Sequence, residues 1–161
     1  MNKSKNVFIS HYHKDDEYVQ KLKRRFAEKG YTLKNSSIDS TKHKPRAKKP
    51  SNAVVKRLLR MRINWAGVFI CLIGDRTHTR EWVDYEIQQA REKKKKIIGV
   101  YTHGSRGADL PDELDISGDL LFGWNSVDKI IDAIENNTAY DWENPDGTKR
   151  RSIHHVKTVS C

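Results

Sequence analysis

Apolar and polar positions alternate along this chain in blocks of two kinds. Short, nearly continuous apolar runs occur at "NVFIS" (6–10), "GVFICLIG" (67–74) and "IIGVYTH" (97–103). Runs of this length, rich in Val, Ile and Phe, predict strands covered on both faces. Between them lie segments whose apolar residues recur every three or four positions. Val19, Leu22 and Phe26 predict one helix, starting at Asp15 or Asp16 and stopping before Gly30. Val54, Val55, Leu58 and Leu59 predict a second, from a Ser51 cap to about Ile63. Val83, Ile87 and Ala90 predict a third, with Thr77 or Thr79 as its cap and Lys93–Lys96 at its negative end. Val127, Ile130, Ile131 and Ile134 predict a fourth, from Ser126 to Asn136. "YTLKN" (31–35) and "DLLFGW" (119–124) read as weaker strands, and "GSRGADLPDEL" (104–114) as a loop.

The order strand, helix, strand, helix, strand, helix, strand, strand, helix implies an α/β domain with a mostly parallel sheet and helices on both faces. In such folds ligands bind beyond the carboxyl ends of the strands. The residues expected there are Ser10 to His13, the loop from Asn35, Gly74 to Thr79, and Thr102 to Gly107. With 161 residues, one domain is expected over 1–137, followed by a basic tail or small extension over 138–161.

Charge modifies this picture. The net charge is +10, and Lys42 to Arg62 holds nine Lys or Arg and no acid. That stretch fits a solvated loop and helix face as well as it fits an anionic ligand or acidic partner. Aromatic residues are not interleaved through it, which argues against nucleic acid. No run of 18 apolar residues occurs, so no membrane span is expected. Of the two cysteines, Cys71 is expected to be buried and inert, and Cys161 exposed. No metal-ligand spacing appears. These features together predict a cytoplasmic protein.

Several chemistries lack their signatures: there is no GxGxxG, no GxxxxGK[ST], no GxSxG and no HExxH. "TREWVDYEI" (79–87) remains. Its Trp82 and Glu86 share a helix face at i, i+4. The spacing fits two arrangements: a core tryptophan beside an exposed glutamate, or a tryptophan walling a pocket into which a carboxylate projects. A carboxylate so placed suits glycosidic cleavage, in which positive charge develops on a sugar carbon.

"VFISHYHKDD", "GVFICLIGDRTHTREWVDYEI" and "KKIIGVYTH", in that order, resemble the TIR-like domains of bacterial antiphage Thoeris systems of the ThsB type. The resemblance covers about residues 5–136. It implies a flavodoxin-like, three-layer fold with a five-stranded parallel sheet. It also implies cleavage of NAD at the nicotinamide–ribose bond, with NAD as substrate and no cofactor or metal. The ADP-ribose would become a cyclic or conjugated signal for a separate effector protein. By this resemblance Glu86 is the catalytic glutamate. Ser10, His11, Tyr12 and Trp82 line the pocket, and Asp39 lies in the loop that covers it. Self-association into a homo-oligomer or filament is a further implication. Two other readings stand beside this one: a non-catalytic self-associating scaffold, and an enzyme resembling nucleoside 2-deoxyribosyltransferases.

Overall fold

The computed structural model describes residues 3–36, 53–104 and 108–150. Its strands are β1 (Lys3–Ser10), β2 (Tyr31–Asn35), β3 (Val68–Ile73), β4 (Lys96–Tyr101) and β5 (Leu120–Phe122). The helices are α1 (Asp16–Glu28), α2 (Ala53–Trp65), α3 (Glu81–Glu92), α4 (Asp112–Ser117) and α5 (Val127–Asn136). The five strands form one sheet in the order β2-β1-β3-β4-β5, and every pairing is parallel. This is the doubly wound, flavodoxin-like order, whose switch point falls between β1 and β3.

The two faces of the sheet carry separate cores. Val7 and Ile9 of β1, with Ile70, Leu72, Ile98 and Val100, pack against Val19, Leu22 and Phe26 of α1 and Ile130 and Ala133 of α5. On the opposite face Phe8, Phe69, Cys71, Ile73, Ile97 and Tyr101 meet Leu59 and Ile63 of α2, Val83, Ile87 and Ala90 of α3, and Leu114 of α4. Every side chain of β3 is buried. A central strand flanked by helices on both faces has no solvent side, which is why its sequence reads as one apolar run.

The helix starts differ from expectation in instructive ways. Asp15 and Ser126 sit at the caps of α1 and α5, yet neither side chain makes a capping bond. Thr77 and Thr79 do not cap α3. They form a 3-10 turn, and the residue at the cap is Arg80. For Thr77 and Ser126 the polar side chain is drawn to another partner. Thr77 accepts the Gly74 N–H at 2.8 Å, and Ser126 donates to Glu143 at 2.6 Å. The Ser51 cap lies outside the described residues. Gly30 follows α1 at φ 74°, the left-handed position that glycine occupies without strain.

The expected loop over 104–114 contains the start of a helix. Residues Asp112–Ser117 form α4, which opens behind Pro111 with Asp112, Glu113 and Asp115 in its first turn. Acidic residues at a helix start are electrostatically favourable. At six residues, the helix is too short to show a periodic apolar face. The lysine run also serves more than its own helix. Lys95 Nζ donates to the Asn64 carbonyl of α2 at 3.0 Å, and Lys96 Nζ to the Ala133 carbonyl of α5 at 2.9 Å.

Residues 138–150 lie against the β5 edge. Glu143 is buried. It accepts the Gly123 N–H at 2.9 Å, the Ser126 hydroxyl and Lys129 Nζ at 2.9 Å. Its own N–H donates to the Leu121 carbonyl at 2.9 Å, and Arg150 donates to the Tyr101 hydroxyl at 2.8 Å. Removing a buried acceptor with three donors leaves those donors unsatisfied. Glu143→Ala is therefore expected to lower the unfolding free energy by about 2–4 kcal/mol in urea denaturation. Unchanged stability would contradict this account of the segment.

Candidate active site

The switch point between β1 and β3 holds several of the buried polar groups among the described residues. Along β1, alternation sends Phe8 to the α2–α3–α4 face and Ile9 to the α1–α5 face. Ser10 then faces α3. Its hydroxyl donates to Glu86 Oε1 at 2.7 Å, joining residues 76 apart in sequence. Both side chains are almost fully enclosed, Ser10 at 1% and Glu86 at 2% exposure. Glu86 is therefore neither ordinary helix surface nor simple core. It is a carboxylate held inside the protein at the carboxyl edge of the sheet.

α3 presents this group because its apolar residues leave it no rotational freedom. Val83, Ile87 and Ala90 are buried against the sheet, and Glu86 lies one helical step from that face. The Glu86 charge is felt by Cys71, the β3 partner of Ser10 in the strand register. Burial first, then the Glu86 and Asp84 charges, push the Cys71 thiol well above its ordinary range. Cys71 is fully buried and free, as its apolar surroundings in sequence predicted.

The other expected site residues separate. His11 reaches the start of α1. Its Nδ1 lies 3.0 Å from the Ile9 carbonyl, and its Nε2 contacts the Asp16 carboxylate. Tyr12 is nearly buried and carries the Arg80 guanidinium 4.0 Å from its ring centroid. That contact ties the end of β1 to the start of α3. Trp82 is half-buried against the α2–α3–α4 side core, with its ring edge-on to Tyr85 at 6.0 Å. Asp39 lies outside the described residues. Of the sequence-derived set, the structure joins Ser10 with Glu86 directly.

Two neighbours of the site carry no motif. Arg80 is one. The other is Asp15, whose carboxylate leans over Gly74: a Cβ on Gly74 would lie 2.4 Å from Asp15 Oδ2. Only glycine leaves room there. Asp15 Oδ2 is buried without a hydrogen-bond partner among the described residues. Burial raises the Asp15 carboxyl above the usual range, His11 opposes this, and Asp75, Asp16 and Glu17 add to it. No cluster of three or more metal-ligating side chains occurs among the described residues, and no helix there is long and apolar enough to cross a membrane.

The raised Asp15 carboxyl gives a signed expectation. Its ionised form is disfavoured in the folded state, so stability is lost as pH rises through the folded value. Asp15→Asn keeps the shape and removes the charge. It is expected to melt above the wild type at pH 7, with the gain vanishing as pH falls below the ordinary carboxyl value of about 3.9. A variant that melts below the wild type at pH 7 contradicts this.

Known proteins bear on this geometry at three levels. A 2-deoxyribosyltransferase from Bacillus psychrosaccharolyticus superposes with a TM-score of 0.53 at 16% identity, over 76% of this chain and 89% of its own. That likeness is one of fold. The TIR domains of the activated Roq1 resistosome align with a TM-score of 0.41 at 16% identity, over 60% of this chain and 57% of theirs. In sequence, the "Putative cyclic ADP-D-ribose synthase ThsB1" of Bacillus cereus (strain MSX-D12) is 46% identical over 55 residues, 34% of this chain. The aligned stretch spans only 29% of that relative's length. The family described as "Thoeris protein ThsB, TIR-like domain" matches residues 8–107, a span that takes in both Ser10 and Glu86. With most of the chain accounted for by that match, the protein belongs to the Thoeris ThsB family through its TIR-like domain.

Proposed function

We propose that this protein cleaves NAD at the nicotinamide–ribose bond and turns the ADP-ribose into a cyclic or conjugated signal, which a separate effector protein reads in antiphage defence. The observation that carries the reading is the enclosed Ser10–Glu86 pair at the switch-point edge, inside the family-matched segment. The name given to the Bacillus cereus relative, "Putative cyclic ADP-D-ribose synthase ThsB1", supports the same chemistry.

The chemistry suits the residues. The C1′–N bond of the nicotinamide riboside breaks, and its electron pair leaves with the nicotinamide nitrogen. The departing base is neutral, so no acid is needed to protonate it. Positive charge then sits on the ribose C1′ and ring oxygen. The Glu86 carboxylate stabilises that charge or holds the ribose hydroxyls. In a dry, preorganised site such an interaction is stronger than in water. Ser10 fixes one carboxylate oxygen, so little reorganisation accompanies the step. Capture of C1′ by a nucleophile other than water, such as a nitrogen of the substrate's own adenine, forms the new bond and releases a proton where the nucleophile carried one. Exclusion of water favours this over hydrolysis.

Nicotinamide release from NAD, followed by chromatography, tests the reading. Glu86→Gln still accepts the Ser10 hydrogen bond but carries no charge, and is expected to cut release by at least ~100-fold. Ser10→Ala is expected to cut it by roughly 10-fold, as one hydrogen bond to a charged group is lost. Equal release by wild type and Glu86→Gln, with and without extract of phage-infected cells, contradicts the proposal. Base exchange on deoxynucleosides with NAD untouched would instead select glycosyl transfer of the 2-deoxyribosyltransferase kind.

A further inference from the structure

Tyr12 and Arg80 meet at the mouth of the candidate site in a contact that the fold uses only in part. Ser10, which holds Glu86, is the last residue of β1. Tyr12 follows two residues later, at most about 7 Å further along the chain. Its ring is nearly buried, at 8% exposure, and carries the Arg80 guanidinium 4.0 Å from its centroid. Arg80 stands at the cap of α3, the helix that presents Glu86. The guanidinium is therefore placed by the same two elements as the Ser10–Glu86 pair, beyond them on the carboxyl side of the sheet.

At 4.0 Å the guanidinium carbon rests on the ring face, an arrangement that leaves the in-plane N–H groups to other acceptors. Arg80 itself is half-buried. Its Nε is buried with no hydrogen-bond partner among the described residues, and Arg80 takes part in none of the ion pairs found there. Other arginines direct their donors at oxygen: Arg91 at Glu113 and Ser117, and Arg150 at the Tyr101 hydroxyl. A strut between β1 and α3 needs only the ring contact. It does not account for a buried donor without an acceptor, which costs stability until an acceptor arrives. The carboxylates around the mouth point to an anion as that acceptor's carrier. Glu86 is enclosed, Asp15 leans over Gly74, and Asp75 and Glu81 stand exposed. A phosphate entering there is repelled by these groups, and an unpaired cation at the entrance offsets the repulsion.

We infer that Arg80 anchors the pyrophosphate of the substrate and that Tyr12 positions Arg80 for it. This rests on the reading of Glu86 as the group that holds the nicotinamide ribose. The phosphate hangs from C5′, outside the ring, so with C1′ at Glu86 it extends toward the mouth, where Arg80 stands. A guanidinium edge offers paired N–H groups to two phosphate oxygens, whereas an ammonium acts as a point charge. Arg80 makes and breaks no bond. It selects a substrate that bears a pyrophosphate over the phosphate-free nicotinamide riboside, by a factor of roughly 10–100 for a hydrogen-bonded charge pair.

Titration calorimetry with ADP-ribose, which carries the pyrophosphate but has no nicotinamide bond to cleave, tests the anchor without turnover. Arg80→Gln is expected to bind it about 10- to 100-fold more weakly than the wild type. Arg80→Lys is expected to fall between, at least ~3-fold below the wild type, and decides the comparison should Arg80→Gln fail to fold. Wild-type affinity is expected to drop between ~0.05 and ~0.5 M salt, and that of Arg80→Gln to drop less, a difference that loss of a strut does not produce. In nicotinamide release, Arg80→Gln is expected to raise KM for NAD about 10-fold or more, with kcat and the cleavage of nicotinamide riboside each within ~3-fold of the wild type. Absence of ADP-ribose binding by the wild type, equal affinity in wild type and variant, or equal losses on NAD and the riboside each overturns the inference. If NAD stays intact under every condition, the proposed chemistry fails, and the calorimetry still decides whether Arg80 holds a pyrophosphate.

Discussion

A carboxylate enclosed in a protein is the constraint on which the rest of this structure depends. An ion the size of Glu86 loses several kcal/mol of hydration on burial unless hydrogen bonds replace it. One such hydrogen bond comes from Ser10, the last residue of β1. The strand must end where it does, and α3 must present Glu86, its sixth residue, at the matching height. The apolar anchors Val83, Ile87 and Ala90 set that height. Tyr12 stacked under Arg80 ties the two elements a second time. The active-site candidate is thus a consequence of how β1 and α3 are locked to one sheet.

The position of α3 has a structural corollary. It lies between α2 and α4 in one layer, and its Tyr85, Gln88 and Arg91 are the groups those neighbours grip. The helix carrying Glu86 is therefore held from both sides.

Much of this was legible in the sequence, for identifiable reasons. β3 and β4 are enclosed on both faces, so their runs are unambiguous. The helices α1, α3 and α5 bury one stripe each, and their periodicity follows. The Trp82–Glu86 spacing singled out a helix whose Glu86 the structure encloses, but spacing alone does not distinguish an enclosed glutamate from an exposed one. Burial of Glu86 depends on Ser10, which is distant in sequence, and only the parallel pairing of β1 with β3 brings the two together. The polar helix starts were misleading because Thr77 is taken by the Gly74 N–H and Ser126 by Glu143, while the Asp15 side chain makes no capping bond. α4 escaped notice because one buried leucine makes no period.

The central claim is that Glu86 holds a ribose whose C1′ is released from nicotinamide and captured by something other than water. Carrying out the reaction of NAD in water enriched in ¹⁸O and weighing the product tests this most directly. The account requires a nicotinamide-free product that retains the ADP-ribose atoms and contains no oxygen from the solvent. A product with one solvent oxygen at C1′, or NAD recovered unchanged, would contradict it.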